Sequence, residues 1–180
     1  MIADAAQFLS PWSNFYVIVG SSAGALTGLQ FVVITLMAGT GGLGSGLEVR
    51  AFGTPTVVHF CFALVISGIA NAPWHSFMAA EMAFAILGAA GVGYALMVIR
   101  HARRQSGYSP DADDWFWYAL LPLGAYLAWF VAAVMLTRHT AGALSVIAGT
   151  SLVLLFIGIH NAWDTVTYVV LKHSQRSRGD

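Results

Sequence analysis

The sequence predicts an all-α integral membrane protein, a single-domain bundle of five transmembrane helices with the N-terminus outside and the C-terminus in the cytoplasm. Three observations lead there. The 180 residues are 58% hydrophobic and 9% charged, with a mean hydropathy of +0.72, whereas a soluble domain carries about 25% charged residues and needs them to cover its surface. Five apolar runs are long enough to cross a hydrocarbon core of about 30 Å. The basic residues collect on alternate connections between those runs, the segregation that sets orientation in a membrane.

Residues 1–12 read as a short interfacial helix stopped by Pro11 and anchored by Trp12. No secretory leader is expected, because the first 49 residues hold no Lys or Arg and a leader opens on a basic region. The first span is expected over residues 13–38. Its Gly20, Gly24 and Gly28 recur every fourth residue, so they share one helix face and allow another backbone to come close. Ser21, Ser22, Thr27 and Gln30 make it the most polar of the early spans. That face suits packing within the chain, a contact between subunits, or a small-residue wall along a pore.

Residues 39–54 form a glycine-rich connector. It lacks the Gly-Lys-Ser/Thr ending of a phosphate loop, so it reads as a linker. Pro55, well placed in a first helical turn, opens the second span over residues 55–72, with His59 one turn inside. Cys61, the single cysteine, reads as a small buried hydrophobe. Asn71 to Trp74 form a turn into the third span, residues 77–99, which contains Gly88, Gly91 and Gly93. Arg100, Arg103 and Arg104 end it, and Asp111, Asp113 and Asp114 precede the fourth span. Both placements suit the helix dipole. The fourth span, residues 115–136, begins with Trp115 and Trp117 and is expected to bend at Pro122 and Gly124, as membrane helices tolerate. The fifth runs over residues 142–171.

With five spans, Arg50, Arg100, Arg103, Arg104, Lys172, Arg176 and Arg178 share one side, and only Arg138 lies on the other. The basic side is assigned to the cytoplasm. Trp12 and Trp74 then fall at the outer interface and Trp115, Trp117 and Trp163 toward the inner one. Lys+Arg and Asp+Glu are both 8, so no nucleic-acid partner is expected.

The run Gly158–Asp164 carries the main polar signal. His160 and Asp164 are four apart and share a helix face, their Cβ atoms about 5–6 Å from each other, and Asn161 lies between them. Ionisable groups within a span point to a path, a relay or a partner. His59 is expected about 6 Å inside the cytoplasmic end of its span. His59, His160, Asn161 and Asp164 therefore form a candidate polar cluster or ion path in one half of the membrane. His59, His160 and Asp164 are also the candidate ligands for a metal ion; no other cofactor is expected. The plainer reading is that residues 141–159 alone span about 28 Å of helix, which leaves His160 to Asp164 as interfacial residues or a clamp between helices. His75, Glu81 and His139 form a looser outer set that shares no helix face.

No zinc spacing, haem-attachment motif, nucleophile elbow or nucleotide fingerprint occurs, and an enzyme is not expected. No inverted repeat supports the common secondary-transporter plan. The expected function is a homo-oligomeric ion channel or pore in a bacterial inner membrane, in contact with the lipid bilayer. Its lining comes from the polar cluster or from the face of Gly20, Gly24, Gly28 and Gln30. The alternatives are an accessory or scaffold subunit without transport, and a metal- or redox-binding protein using histidine.

Overall fold

The computed structural model describes residues 5–39, 54–104 and 112–176. The connector 40–53 with Arg50, the residue Asp111, and Arg178 lie outside the described residues. Regular structure among the described residues is helical throughout: α1 (Ala5–Leu9), a 3₁₀ turn (Ser10–Trp12), α2 (Ser13–Gly39), α3 (Thr54–Asn71), α4 (Phe77–Arg104), α5 (Ala112–Trp115), a π-helical turn (Phe116–Leu120), α6 (Leu121–Val134) and α7 (Thr140–Arg176). Five stretches are long and apolar enough to cross a membrane: Gln7–Leu36, Thr54–Asn71, Phe77–Arg104, Ala112–Val134 and Thr140–Thr167. Their outward faces carry large apolar side chains such as Ile18, Leu29, Ile86 and Phe156. A surface of that kind suits hydrocarbon or a partner far better than water.

α4 and α7 run past the apolar stretches that announce them, to Arg104 and Arg176, because an apolar run ends at the first charged residues while backbone hydrogen bonding continues past them. The expected short N-terminal helix, α1, ends at Leu9, just ahead of Pro11. Pro11 sits in the first turn of the 3₁₀ segment, which passes directly into α2. Leu9 joins the core and the Phe8 ring packs 5.1 Å from Phe77 at the start of α4.

α3, α4, α6 and α7 close a ring in which α3 packs on α4 and α7, and α6 packs on α4 and α7. α2 lies outside it against α3, with a lighter contact to α7. Helices this apolar, if surrounded by lipid, gain no hydrophobic drive toward each other and rely on close backbone approach and hydrogen bonds. Both occur. Gly20 of α2 lies against Ser67 of α3, where an added Cβ would come within 2.8 Å of the serine Cβ. Gly88 lies against the backbone of Phe130, Gly91 against the Tyr126 ring, and Gly158 against the Phe60 ring. The Ser13 hydroxyl donates to Asn71 Oδ1 at 2.9 Å, and the Asn71 amide donates to the Ser67 carbonyl at 2.9 Å. The first bond fastens the start of α2 to the end of α3, and the second, within α3, holds the Asn71 side chain in place. Trp74 is fixed by the same corner, its indole N–H donating to the Ile69 carbonyl at 2.6 Å.

Cys61 corrects its sequence reading: it is exposed. The buried arc of α3 passes through His59, Phe60, Ala63, Ile66, Ser67 and Ala70, and at 100° per residue position 61 falls on the opposite arc. The π turn explains where the fourth span departs from α-helix. Pro122 has no N–H to give the carbonyl of Tyr118, and the preceding turn widens so that the Leu121 N–H reaches the Phe116 carbonyl, five residues back.

Two glycines two residues apart should behave oppositely. Gly91→Ala drives a Cβ into three atoms of the buried Tyr126 ring and is expected to cost about 1–3 kcal/mol. Gly93→Ala meets open space and should be neutral or stabilising by up to about 1 kcal/mol. Thermal unfolding in detergent micelles checks the pair; equal midpoints for the two variants would contradict the α4–α6 packing.

Candidate functional site

The polar residues singled out in the sequence occupy two neighbouring settings rather than one cluster. The first is inside the four-helix ring. His59, 2% exposed, pairs through Nδ1 with the Tyr126 hydroxyl at 2.8 Å. The Tyr94 ring stands edge-on to the imidazole at 6.4 Å, and Phe62 and Trp129 border Tyr126 at 4.9 and 6.4 Å. Gly91 creates the room for the Tyr126 ring, so α4 supplies the space, α6 the phenol and α3 the imidazole. Tyr94 lies six residues, about 9 Å of helix, inside Arg100.

The second setting is where the π turn meets α7. The Trp117 ring stacks on His160, centroids 3.7 Å apart and planes 18° from parallel, with Phe156 beside it at 5.8 Å. One turn on, the Tyr118 hydroxyl lies 3.5 Å from Asp164 Oδ2, a long hydrogen bond. The widened turn rotates Trp117 and Tyr118 together toward the histidine–carboxylate face of α7. Such π turns recur at functional positions in helices. His160 is half-buried and Asp164 is exposed.

Asn161 belongs to neither pair. It is fully buried, and among the described residues neither atom of its side-chain amide has a hydrogen-bond partner. The Tyr16 hydroxyl and the Trp129 indole N–H are likewise buried and unpaired. An unpaired buried amide costs about 1–3 kcal/mol in proteins.

His59 and His160 thus take different aromatic partners, and among the described residues no group of three His, Cys, Asp or Glu is placed to hold a metal ion. The glycine face also divides. Gly20 is buried against Ser67, whereas Gly24 and Gly28 are exposed, and a Cβ added at either would have nothing within 4 Å. Gln30 is buried, 5% exposed, on the side of α2 away from Gly24 and Gly28.

Tyr126, Tyr118 and the stacking role of Trp117 escape a sequence reading. Trp117 looks like an interfacial anchor, and Tyr126 sits in an unbroken apolar run with no partner at helical spacing. Pro122 is the one local signal, since a proline inside a span forces the preceding turn to re-pair.

Comparison of the chain with protein-family models, with curated proteins and with solved structures finds no match.

The His59–Tyr126 bond should behave as a coupled buried pair. His59→Leu and Tyr126→Phe are each expected to cost about 1–3 kcal/mol by orphaning the other group. The double variant should cost less than their sum by at least about 0.5 kcal/mol. A denaturant double-mutant cycle in micelles measures this, and strict additivity would show that the contact contributes nothing.

Proposed function

We propose that the protein works as a homo-oligomeric membrane assembly that passes ions along the axis between its copies, not through the protomer. The observation that carries this reading is the contrast between the protomer's interior and the outer face of α2. The interior is filled by Tyr126, Trp129, Phe60 and Phe84, each at most 1% exposed. On α2, Ser21, Gly24, Ala25 and Gly28 form an exposed arc of small residues, the surface on which helices of separate subunits approach most closely. Small side chains and a serine hydroxyl are also what a hydrated axis tolerates.

The His160–Asp164 face has a different place in this proposal. It lies on α7 beside the π turn, and α6 packs on α7 from that side, whereas α2 touches α7 only lightly. The two candidate linings therefore need not share one path, and we assign the axis to α2. The accompanying orientation puts Arg100, Arg103, Arg104 and the C-terminus in the cytoplasm of a bacterial inner membrane.

A second reading, an accessory or scaffold subunit, draws on the same arc, because it fits a helix of another protein as well as a second copy. A metal-binding redox role draws no support from the separated histidines.

In liposomes, the wild-type protein is expected to crosslink as a closed oligomer and to pass monovalent cations. Gly24→Leu and Gly28→Leu should each shift it toward monomer and lower flux at least about tenfold, an association loss of about 1.4 kcal/mol. Gly68→Leu, equally exposed and with open space around it on α3, should do neither. An intact oligomer without flux selects the scaffold reading, and a monomer removes the proposal.

A further inference from the structure

The exposed face of α4 carries a groove that the proposed assembly does not use. It is lined by Gly93, Leu96, Met97, Arg100, His101 and Arg104. These positions recur at three- and four-residue steps, so they form one continuous stripe of the helix. Its two ends differ in chemistry. Gly93, Leu96 and Met97 make an apolar trough in which Gly93 leaves open space. Arg100, His101 and Arg104 make a polar, cationic end, with the His101 ring held by its Nδ1 against the Met97 carbonyl at 2.9 Å.

Depth matches this division. α4 has 28 residues, about 42 Å of helix, against a hydrocarbon core of about 30 Å. Counted from Phe77, the apolar core ends about 20 residues on, close to Met97. The trough therefore lies within hydrocarbon, and the guanidiniums of Arg100 and Arg104 lie at headgroup level. Arg103 is turned elsewhere, its guanidinium 5.8 Å from the centroid of the Trp115 ring. A second open groove, between α6 and α7, is apolar apart from His139 and has no comparable charged end among its lining residues.

We propose that this stripe is a binding site for one anionic phospholipid of the leaflet at the Arg100 end. One acyl chain lies in the trough over Gly93, and the phosphate meets Arg100 and Arg104. Charge complementarity at one end and an apolar trough at the other select this occupant over a peptide or a soluble anion. Guanidinium is the side chain best shaped to hold a phosphate in two hydrogen bonds, and basic residues at this level attract anionic headgroups.

The test is native mass spectrometry of the detergent-solubilised full-length protein. It is titrated with 1-palmitoyl-2-oleoyl phosphatidylglycerol and, in parallel, with the matching phosphatidylcholine. The wild type is expected to retain one phosphatidylglycerol in preference to phosphatidylcholine. Arg100→Gln and Arg104→Gln should each weaken that retention about fivefold, and the Lys variants should restore most of it. Arg103→Gln should leave it unchanged. Gly93→Leu, which fills the trough without touching charge, should weaken retention of both lipids. Inorganic phosphate in millimolar excess should fail to displace the bound lipid. Equal retention of the two lipids by the wild type overturns the site, as does an Arg103→Gln effect equal to that of Arg100→Gln. Displacement by phosphate also overturns it, because the ligand is then a free anion.

Discussion

Where Gly91 of α4 meets the Tyr126 ring and Gly158 of α7 meets that of Phe60, a missing Cβ lets an aromatic side chain enter the space between helices. The ring of α3, α4, α6 and α7 depends on those crossings. In hydrocarbon, apolar side chains gain little by leaving lipid for each other, so contact density and satisfied polar groups have to supply the cohesion. A flat aromatic ring laid on a glycine gives many close contacts at one crossing. The same arrangement brings the phenol of Tyr126 to His59, so packing and polar pairing are set by one geometry. Gly88, one turn earlier on α4, instead lets the backbone of Phe130 come close.

α2 uses different means. It is held to α3 by Gly20 on Ser67 and by the Ser13–Asn71 hydrogen bond, and it turns Ser21, Gly24, Ala25 and Gly28 outward. The protomer thus uses the small-residue face of α2 only in part, and in the assembly proposed above the rest of that face packs on a further copy.

Polar groups in the bundle are mostly paired with the nearest available acceptor. Ser67, Thr150 and Ser151 bond back to carbonyls of their own helices. His59 instead bonds across the ring, and Asp164 is approached by Tyr118 through the widened turn before Pro122. The proline thus has a consequence several residues away: it costs one backbone bond and in exchange aims two aromatic side chains at α7. Asn161 is the exception, a buried amide that the described residues leave unsatisfied.

By itself the sequence determined the class and the number of helices long and apolar enough to cross a membrane. Those depend on local quantities, the run length of apolar residues and the scarcity of charge, which no tertiary arrangement changes. It also marked His59, His160, Asn161 and Asp164 as unusual, because a polar group in an apolar run is visible without knowing its neighbours. Only the tertiary structure decided what each of them faces. His59 and His160 are about a hundred residues apart in sequence, and whether they meet or part depends on helix rotation, on the short α3 and on the room that Gly91 leaves for Tyr126. The three glycines of α2 look equivalent as a repeat. Gly20 is spent inside the protomer while Gly24 and Gly28 face out, because α2 meets α3 most closely near the Ser13–Asn71 corner and Ser67, and a four-residue spacing in a 3.6-residue helix slowly carries the later glycines around the axis.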